Sequence, residues 1–250
     1  MQRKNTETYY IGLCTTYHDP ALAVVDGAGQ VLFAEATERF LQYKRALNAE
    51  PDNLYLLPRL LQTYCPGARS FVVADNWLDA RPWYERTAQA LGWLSPQGLL
   101  KHSPRPLVAP LETWQLHHMM ASQRQAIKRR NLNLARILRS DFPGARVQFR
   151  HYDHHLTHAA LACYGSPYAE AVCAVVDSYG EQGGLAYFDY REGRITPLFK
   201  SRGAQSLGFY YMKLTELCGF DWMGGEEWKV MGLAAYGQPD ERLLMNFRAM

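Results

Sequence analysis

Two stretches of this 250-residue chain follow one plan: a strand, a polar loop of about seven residues, a second strand, a glycine-centred turn and a third strand. In the first copy Tyr10-Ile11-Gly12-Leu13-Cys14 runs into the loop Cys14–Pro20, and Ala21-Leu22-Ala23-Val24-Val25 follows. The hairpin signal Asp26-Gly27-Ala28-Gly29 then leads to Val31-Leu32-Phe33-Ala34. In the second copy Ala171–Asp177 is an apolar run that reads as a strand buried on both faces, and Ser178–Gly184 is its polar loop. Laid over each other without a gap, Gly12 falls on Val176, Glu35 on Phe199 and Gly29 on Gly193. Residue identity is weak and the shared pattern carries the comparison, so two unrelated meanders remain the alternative.

Between and after the copies, the spacing predicts a helix over 53–64 with an early proline, a buried strand over Ser70–Asp75 and a long helix over 113–139. Further on it predicts a strand over 146–150 and helices over 154–164, 206–218, around Lys229 and over 241–250. Residues 76–110 are rich in Trp and Pro and read as irregular. A duplicated three-stranded meander followed by helices is how actin, sugar kinases and heat-shock chaperones are built. The expected fold class is therefore α/β, an actin-like (ribonuclease H-like) duplicated fold. Residues 1–170 would form the first lobe, with a helical insertion at about 76–140, and residues 171–250 the beginning of the second. In such folds the two polar loops face each other across a cleft, where Gly-, Thr- and Ser-rich backbone can offer N–H groups to a phosphate.

Composition narrows the function classes. With 48% hydrophobic and 20% charged residues the chain can bury a large core. The net charge of +3 is too mild to indicate nucleic-acid binding, and we read Lys128-Arg129-Arg130 as a solvated helix face. No apolar run approaches the roughly 20 residues of a membrane span, and residues 1–7 contain no signal-peptide core. The expectation is a cytoplasmic protein without membrane or nucleic-acid partners, with homodimerisation open. The five cysteines form no CxxC pair and read as buried thiols.

The densest chemical cluster is His151-Tyr152-Asp153-His154-His155-Leu156-Thr157-His158. His154 and His158 stand i, i+4 on the expected helix, so their rings can share a metal ion. Leu156 and Thr157 fill the interval where a zincin carries its glutamate, which argues against that class. Asp177, at the end of an apolar strand, is a candidate third ligand, and two His with one Asp suit iron, zinc or manganese. His155 points elsewhere, to the ligand or to a supporting shell. In the first loop His18, followed by Asp19, can act as a general base or simply be solvated. Glu38-Arg39-Phe40 and Lys44-Arg45 are either anion-binding groups or an ordinary charged strand end, and the adjacent pair His117-His118 points apart.

Four strings in order carry a resemblance: Tyr17-His18-Asp19-Pro20-Ala21, Glu38-Arg39-Phe40, His154-His155-Leu156-Thr157-His158-Ala159, and Glu226-Glu227-Trp228-Lys229-Val230-Met231-Gly232-Leu233-Ala234-Ala235-Tyr236-Gly237. Together they resemble the O-carbamoyltransferases of the nodulation-factor and cephalosporin type, from about Tyr10 to Gly237 with nothing recognisable between residues 76 and 140. The resemblance implies ATP-dependent transfer of a carbamoyl group from carbamoyl phosphate, through a carbamoyl-adenylate, to a hydroxyl of a sugar or natural product. It implies a metal, Fe(II) or another divalent ion, at His154, His158 and Asp177, with ATP and Mg as substrate and His18 activating the acceptor hydroxyl. It assigns Lys44, His155, Ser178, Tyr179, Gly180, Glu227 and Lys229 to nucleotide or carbamoyl contacts. Ser178 departs from the family pattern, which has Gly there. The resemblance also implies a further metal carboxylate and a YrdC-like adenylate-forming domain beyond Met250, so the chain is expected to be part of a longer enzyme. The competing expectation is a non-catalytic nucleotide- or metal-binding subunit of the same fold.

Overall fold

The computed structural model describes residues 8–78, 109–202 and 206–248; within the helix that begins at Ala109, the side chains of residues 109–117 and 120 are also left undescribed. The expected irregular segment therefore lies, from residue 79 to 108, outside the described residues, and so does the side chain of His117.

The first lobe is built on β1 (Thr8–Cys14), β2 (Ala21–Asp26), β3 (Val31–Ala36), β4 (Ser70–Asp75) and β5 (Arg146–His151). They form one sheet in the order β3-β2-β1-β4-β5, with β1–β2 and β2–β3 antiparallel and β1–β4 and β4–β5 parallel. Period-2 alternation turns Tyr9, Ile11 and Leu13 of β1 and Phe71 and Val73 of β4 into one core. Helices α2 (Leu57–Tyr64) and α4 (Leu132–Asp141) fill that core with Leu57, Leu60, Leu61, Leu134, Ile137 and Leu138, and Phe71 meets Phe142 edge-on at 5.1 Å. Two short helical pieces, α1 (Thr37–Leu41) and a 3-10 turn at Lys44–Ala46, follow β3.

The single helix expected over 113–139 is two, α3 (Ala109–Arg129) and α4. Asn131 breaks it with φ 63°, a left-handed conformation that asparagine tolerates better than most residues. The break is held from outside: Asn131 Nδ2 donates to Asp75 Oδ2 at 3.0 Å, and Arg130 Nη1 donates to the Trp77 carbonyl at 2.6 Å.

The second half repeats the meander. Strands β6 (Glu170–Val176), β7 (Leu185–Arg191) and β8 (Arg194–Lys200) pair antiparallel in the order β6-β7-β8. Gly29 and Gly193 hold the equivalent hairpin turns at φ 83° and 72°. Helix α5 (His154–Gly165) packs on this sheet, and Ala159, Val175, Ala186 and Phe188 form a second small core. Helices α6 (Leu207–Leu217), α7 (Glu227–Ala234) and α8 (Glu241–Arg248) follow.

One expectation about β6 fails. It is not buried on both faces, since Val172 and Val176 are 65% and 55% exposed. Helix α5 covers one face only, and among the described residues β6 pairs with β7 alone. In the first sheet β2 alone runs opposite to β1, β3, β4 and β5, the ribonuclease H-like arrangement, and the meander is repeated in β6–β8. The fold is actin-like. No described helix is long and apolar enough to cross a membrane, and the five cysteines are all free.

Candidate metal site

Helix α5 starts where its sequence caps it. Asp153 accepts from the Leu156 amide at 3.0 Å, and its other oxygen pairs with Lys200 Nζ at 2.7 Å. Glu181, from the loop after β6, takes the His154 amide at 2.9 and 3.0 Å through its two oxygens. Burial, reinforced by nearby Asp153, holds the Glu181 carboxyl above the ordinary glutamate range. These contacts fix the first turn of the helix that carries three histidines.

That turn faces the end of β6, which delivers Asp177. His154 Nε2 lies 3.1 Å from Asp177 Oδ2 and 3.2 Å from His158 Nε2, and His158 Nε2 is 3.7 Å from the same carboxylate oxygen. All three ligand atoms fall within 4.8 Å of one another. Two ligands bound at about 2.1 Å to a shared ion at tetrahedral angles stand about 3.4 Å apart, so the spacing suits a common ion. Burial would raise the Asp177 carboxyl, but the hydrogen bond and charge of His154 outweigh it and set the group at about 2, so it is a carboxylate at any working pH. Burial, and then His154, hold His158 below the usual imidazole value, which keeps its ring neutral and able to donate a lone pair.

His155 is buried beside them, its Nε2 without a hydrogen-bond partner among the described residues and 3.9 Å from Asp177 Oδ2. Gly180 lies flat on its ring: a Cβ at that position would sit 2.7 Å from His155 Nε2. An orphaned buried imidazole nitrogen next to converging His, His and Asp is the chemistry of a site that fits a divalent ion and a polar ligand.

Several residues that sequence reasoning missed hold the cluster from behind. Trp77 stacks on His154 at 4.4 Å and 14°. Asn76 connects the loops: its Oδ1 accepts from the Thr15 amide at 2.8 Å and its Nδ2 bonds His154 Nδ1 at 3.3 Å. Asp75, whose side chain is fully buried, binds His151 Nδ1 at 2.6 Å and Arg130 Nε at 3.5 Å, anchoring both neighbours. The one signal available in the sequence was a carboxylate at the end of an apolar strand, which Asp75 shares with Asp177.

The remaining candidates divide. His18 Nδ1 bonds Asp19 Oδ2 at 2.7 Å, and the ring is partly exposed. The amides of Ser178 and Gly180 are bound inside their own loop, to Asp177 Oδ1 at 2.6 Å and to the Gly183 carbonyl at 2.8 Å, and Tyr179 stacks on Phe209. In the first loop the amides of Thr15, Tyr17 and Asp19 are likewise taken by protein acceptors. At these positions the loop N–H groups are not free to cradle a phosphate, because the second loop binds its own amides and the first gives its amides to Asn76, Gln123 and the Arg45 carbonyl. Lys44, Glu227 and Lys229 are bonded elsewhere than to His154, His155 or His158: Lys44 Nζ donates to the Gly225 carbonyl at 2.7 Å, Glu227 faces Arg45, and Lys229 pairs with Glu226 and lies over the Phe220 ring.

Residues 123–250, more than half of the chain, match the family model described as the carbamoyltransferase N-terminus. The chain belongs to the carbamoyltransferase family. The match takes in α5, both loop-borne carboxylates Asp177 and Glu181, and α7. The chain is also 26% identical over 239 residues to the uncharacterized protein sll1178 of Synechocystis sp., covering 93% of the chain and 35% of that protein. It thus spans about a third of the length of that relative. Among solved structures, it resembles a Ppx/GppA phosphatase of Aquifex aeolicus at 12% identity, with 84% of the chain and 55% of the phosphatase covered and a TM-score of 0.35. A Bacteroides thetaiotaomicron protein with an actin-like ATPase fold aligns at 10% identity over 88% of the chain and 81% of that protein, with a TM-score of 0.29.

Proposed function

We propose that the protein transfers a carbamoyl group from carbamoyl phosphate, with ATP and Mg and through a carbamoyl-adenylate, to a hydroxyl of a sugar or natural product. The observation that carries the reading is the convergence of His154 Nε2, His158 Nε2 and Asp177 Oδ2 in a chain of the carbamoyltransferase family. These three residues would hold Fe(II) or another divalent ion, which when bound supplies Lewis-acid polarisation of a carbonyl or charge neutralisation of phosphate oxygens. His155, buried with a free Nε2 beside them, would donate to an oxygen of the carbamoyl or phosphate group.

His18 is the base. Donating Nδ1–H to Asp19 leaves the lone pair on Nε2, which takes the proton of the acceptor hydroxyl as its oxygen bonds to the carbamoyl carbon. The bond from that carbon to the phosphate oxygen breaks and AMP leaves with its electron pair. Asn76 and Trp77 keep His154 in place while the first loop carries His18. The test is to incubate the full protein with labelled carbamoyl phosphate, ATP, Mg and a panel of aminoglycoside, macrolide and sugar alcohols. Labelled O-carbamoyl product, identified by mass spectrometry, is the expected result. A panel with no product and no carbamoyl-adenylate would remove the reading.

A further inference from the structure

The segment after α1 has an unusual backbone. Gln42, Arg45, Ala46 and Asn48 all have positive φ, as does Asp19 in the first loop; together they are five of the seven non-glycine residues with positive φ among those described. Left-handed conformations are unfavourable at non-glycine residues and persist where surrounding contacts impose them. The contacts here converge on Arg45, at φ 63°. Its amide donates to Glu38 Oε2 at 2.8 Å, and its carbonyl accepts from the Asp19 amide at 2.7 Å.

The Arg45 side chain, 15% exposed, points two ways. Nε lies 3.5 Å from Asp19 Oδ2, the same oxygen that binds His18 Nδ1. Nη1 donates to the Trp222 carbonyl at 2.6 Å and lies 3.7 Å from Glu227 Oε1, at the start of α7. The far side is shaped for it. Gly225 has φ 70°, and a Cβ there would fall 2.7 Å from Arg45 Cδ. Lys44 secures the same turn through the Gly225 carbonyl.

We propose that Arg45 is the positioning residue of the His18–Asp19 pair: its guanidinium ties the Asp19 carboxylate of the first lobe to the turn before α7, so that the orientation of His18 depends on how the two halves of the chain meet. This rests on the reading of His18 as the base. A planar guanidinium suits the task because it can address a carboxylate and backbone carbonyls at once, which an ammonium on a flexible stem does less well. The negative groups around it are Asp19, Glu38 and Glu227, and Tyr17 lies near enough for its phenol to feel the charge. Burial would raise Asp19, but His18 and then Arg45 overcome it and hold the carboxyl below the ordinary range.

The experiment compares the full protein with Arg45→Met, Arg45→Lys and Gly225→Ala, using 13C-labelled aspartate and 15N-labelled histidine. The expected result has three parts. In Arg45→Met the Asp19 carboxyl titrates at higher pH than in the parent, and the His18 ring loses its fixed Nδ1–H tautomer. Gly225→Ala, which touches neither His18 nor Asp19, disturbs the same two signals from the other lobe. Carbamoyl transfer falls in kcat by about tenfold or more with KM for the acceptor little changed, and Arg45→Lys restores only part of it. Unchanged Asp19 and His18 signals in both Arg45→Met and Gly225→Ala would overturn the proposal. Signals that move as expected while turnover stays at the parent level would uphold the clamp and refute His18 as the base.

Discussion

Replacing Asp52 with Asn tests how the start of α4 is held. Asp52 is 1% exposed, and its Oδ2 accepts from the Leu134 amide at 2.9 Å, capping α4 from another part of the chain because Asn131 provides no side-chain cap. Helix N-termini favour carboxylates, yet burial wins, with Glu50 adding to it, and lifts the Asp52 carboxyl to about 6 from an ordinary 3.8. The difference between 3.8 and about 6 corresponds to about 3 kcal/mol. The folded protein then binds this proton more tightly than the unfolded chain. Its contribution is fully present below about pH 4 and is lost as pH rises through about 6. Asp52→Asn keeps an acceptor for Leu134 but cannot ionise. The amide that replaces the unpartnered Oδ1 costs about 1–3 kcal/mol at every pH, so it cancels when two pH values are compared. Urea unfolding of both proteins at pH 5 and pH 8 should show the variant gaining about 1.4 kcal/mol on its parent over that interval, roughly half of the whole effect. A stability difference that does not change with pH would mean that Asp52 is ionised in the fold throughout, and that burial does not dominate it.

Three further outcomes follow from the site. His158→Ala removes one of three converging ligand atoms, and elemental analysis should find bound metal well below one ion per chain; full occupancy would dismiss the ligand set. His18→Asn should reduce transfer in the full protein by about 10² or more while its thermal unfolding stays with the parent, the usual scale for losing a general base; near-parental turnover would leave His18 as pocket lining. Gly180→Ala places a Cβ 2.7 Å from His155 Nε2, so the ring must shift, with a loss of about 1–3 kcal/mol in stability and weaker metal retention; a variant indistinguishable from its parent in both would show that the loop yields freely.

Local pattern decided much of this molecule. Short apolar runs bounded by turn signals placed β1, β2, β4 and β5 to within a residue or two, and the Asp-Gly-Ala-Gly turn set the first hairpin, because strand propensity and turn chemistry are properties of neighbouring residues. The i, i+4 spacing of His154 and His158 was legible for the same reason, since a helix repeats every 3.6 residues wherever it lies. Local pattern overreached where burial depends on a partner: β6 is as apolar as a central strand, yet one of its faces is open. It also missed the break at Asn131, which is stabilised by Asp75, 56 residues away in sequence. Tertiary structure alone brought Asn76 and Trp77 behind His154, joined the first loop to the histidines, and set Arg45 against Trp222, 177 residues apart. Such contacts are fixed by which strands pair, in what register and with which crossovers, and no window along the chain contains that information. The sequence by itself determined the elements and the reactive side chains; only the packing of one half on the other decided which of those side chains meet.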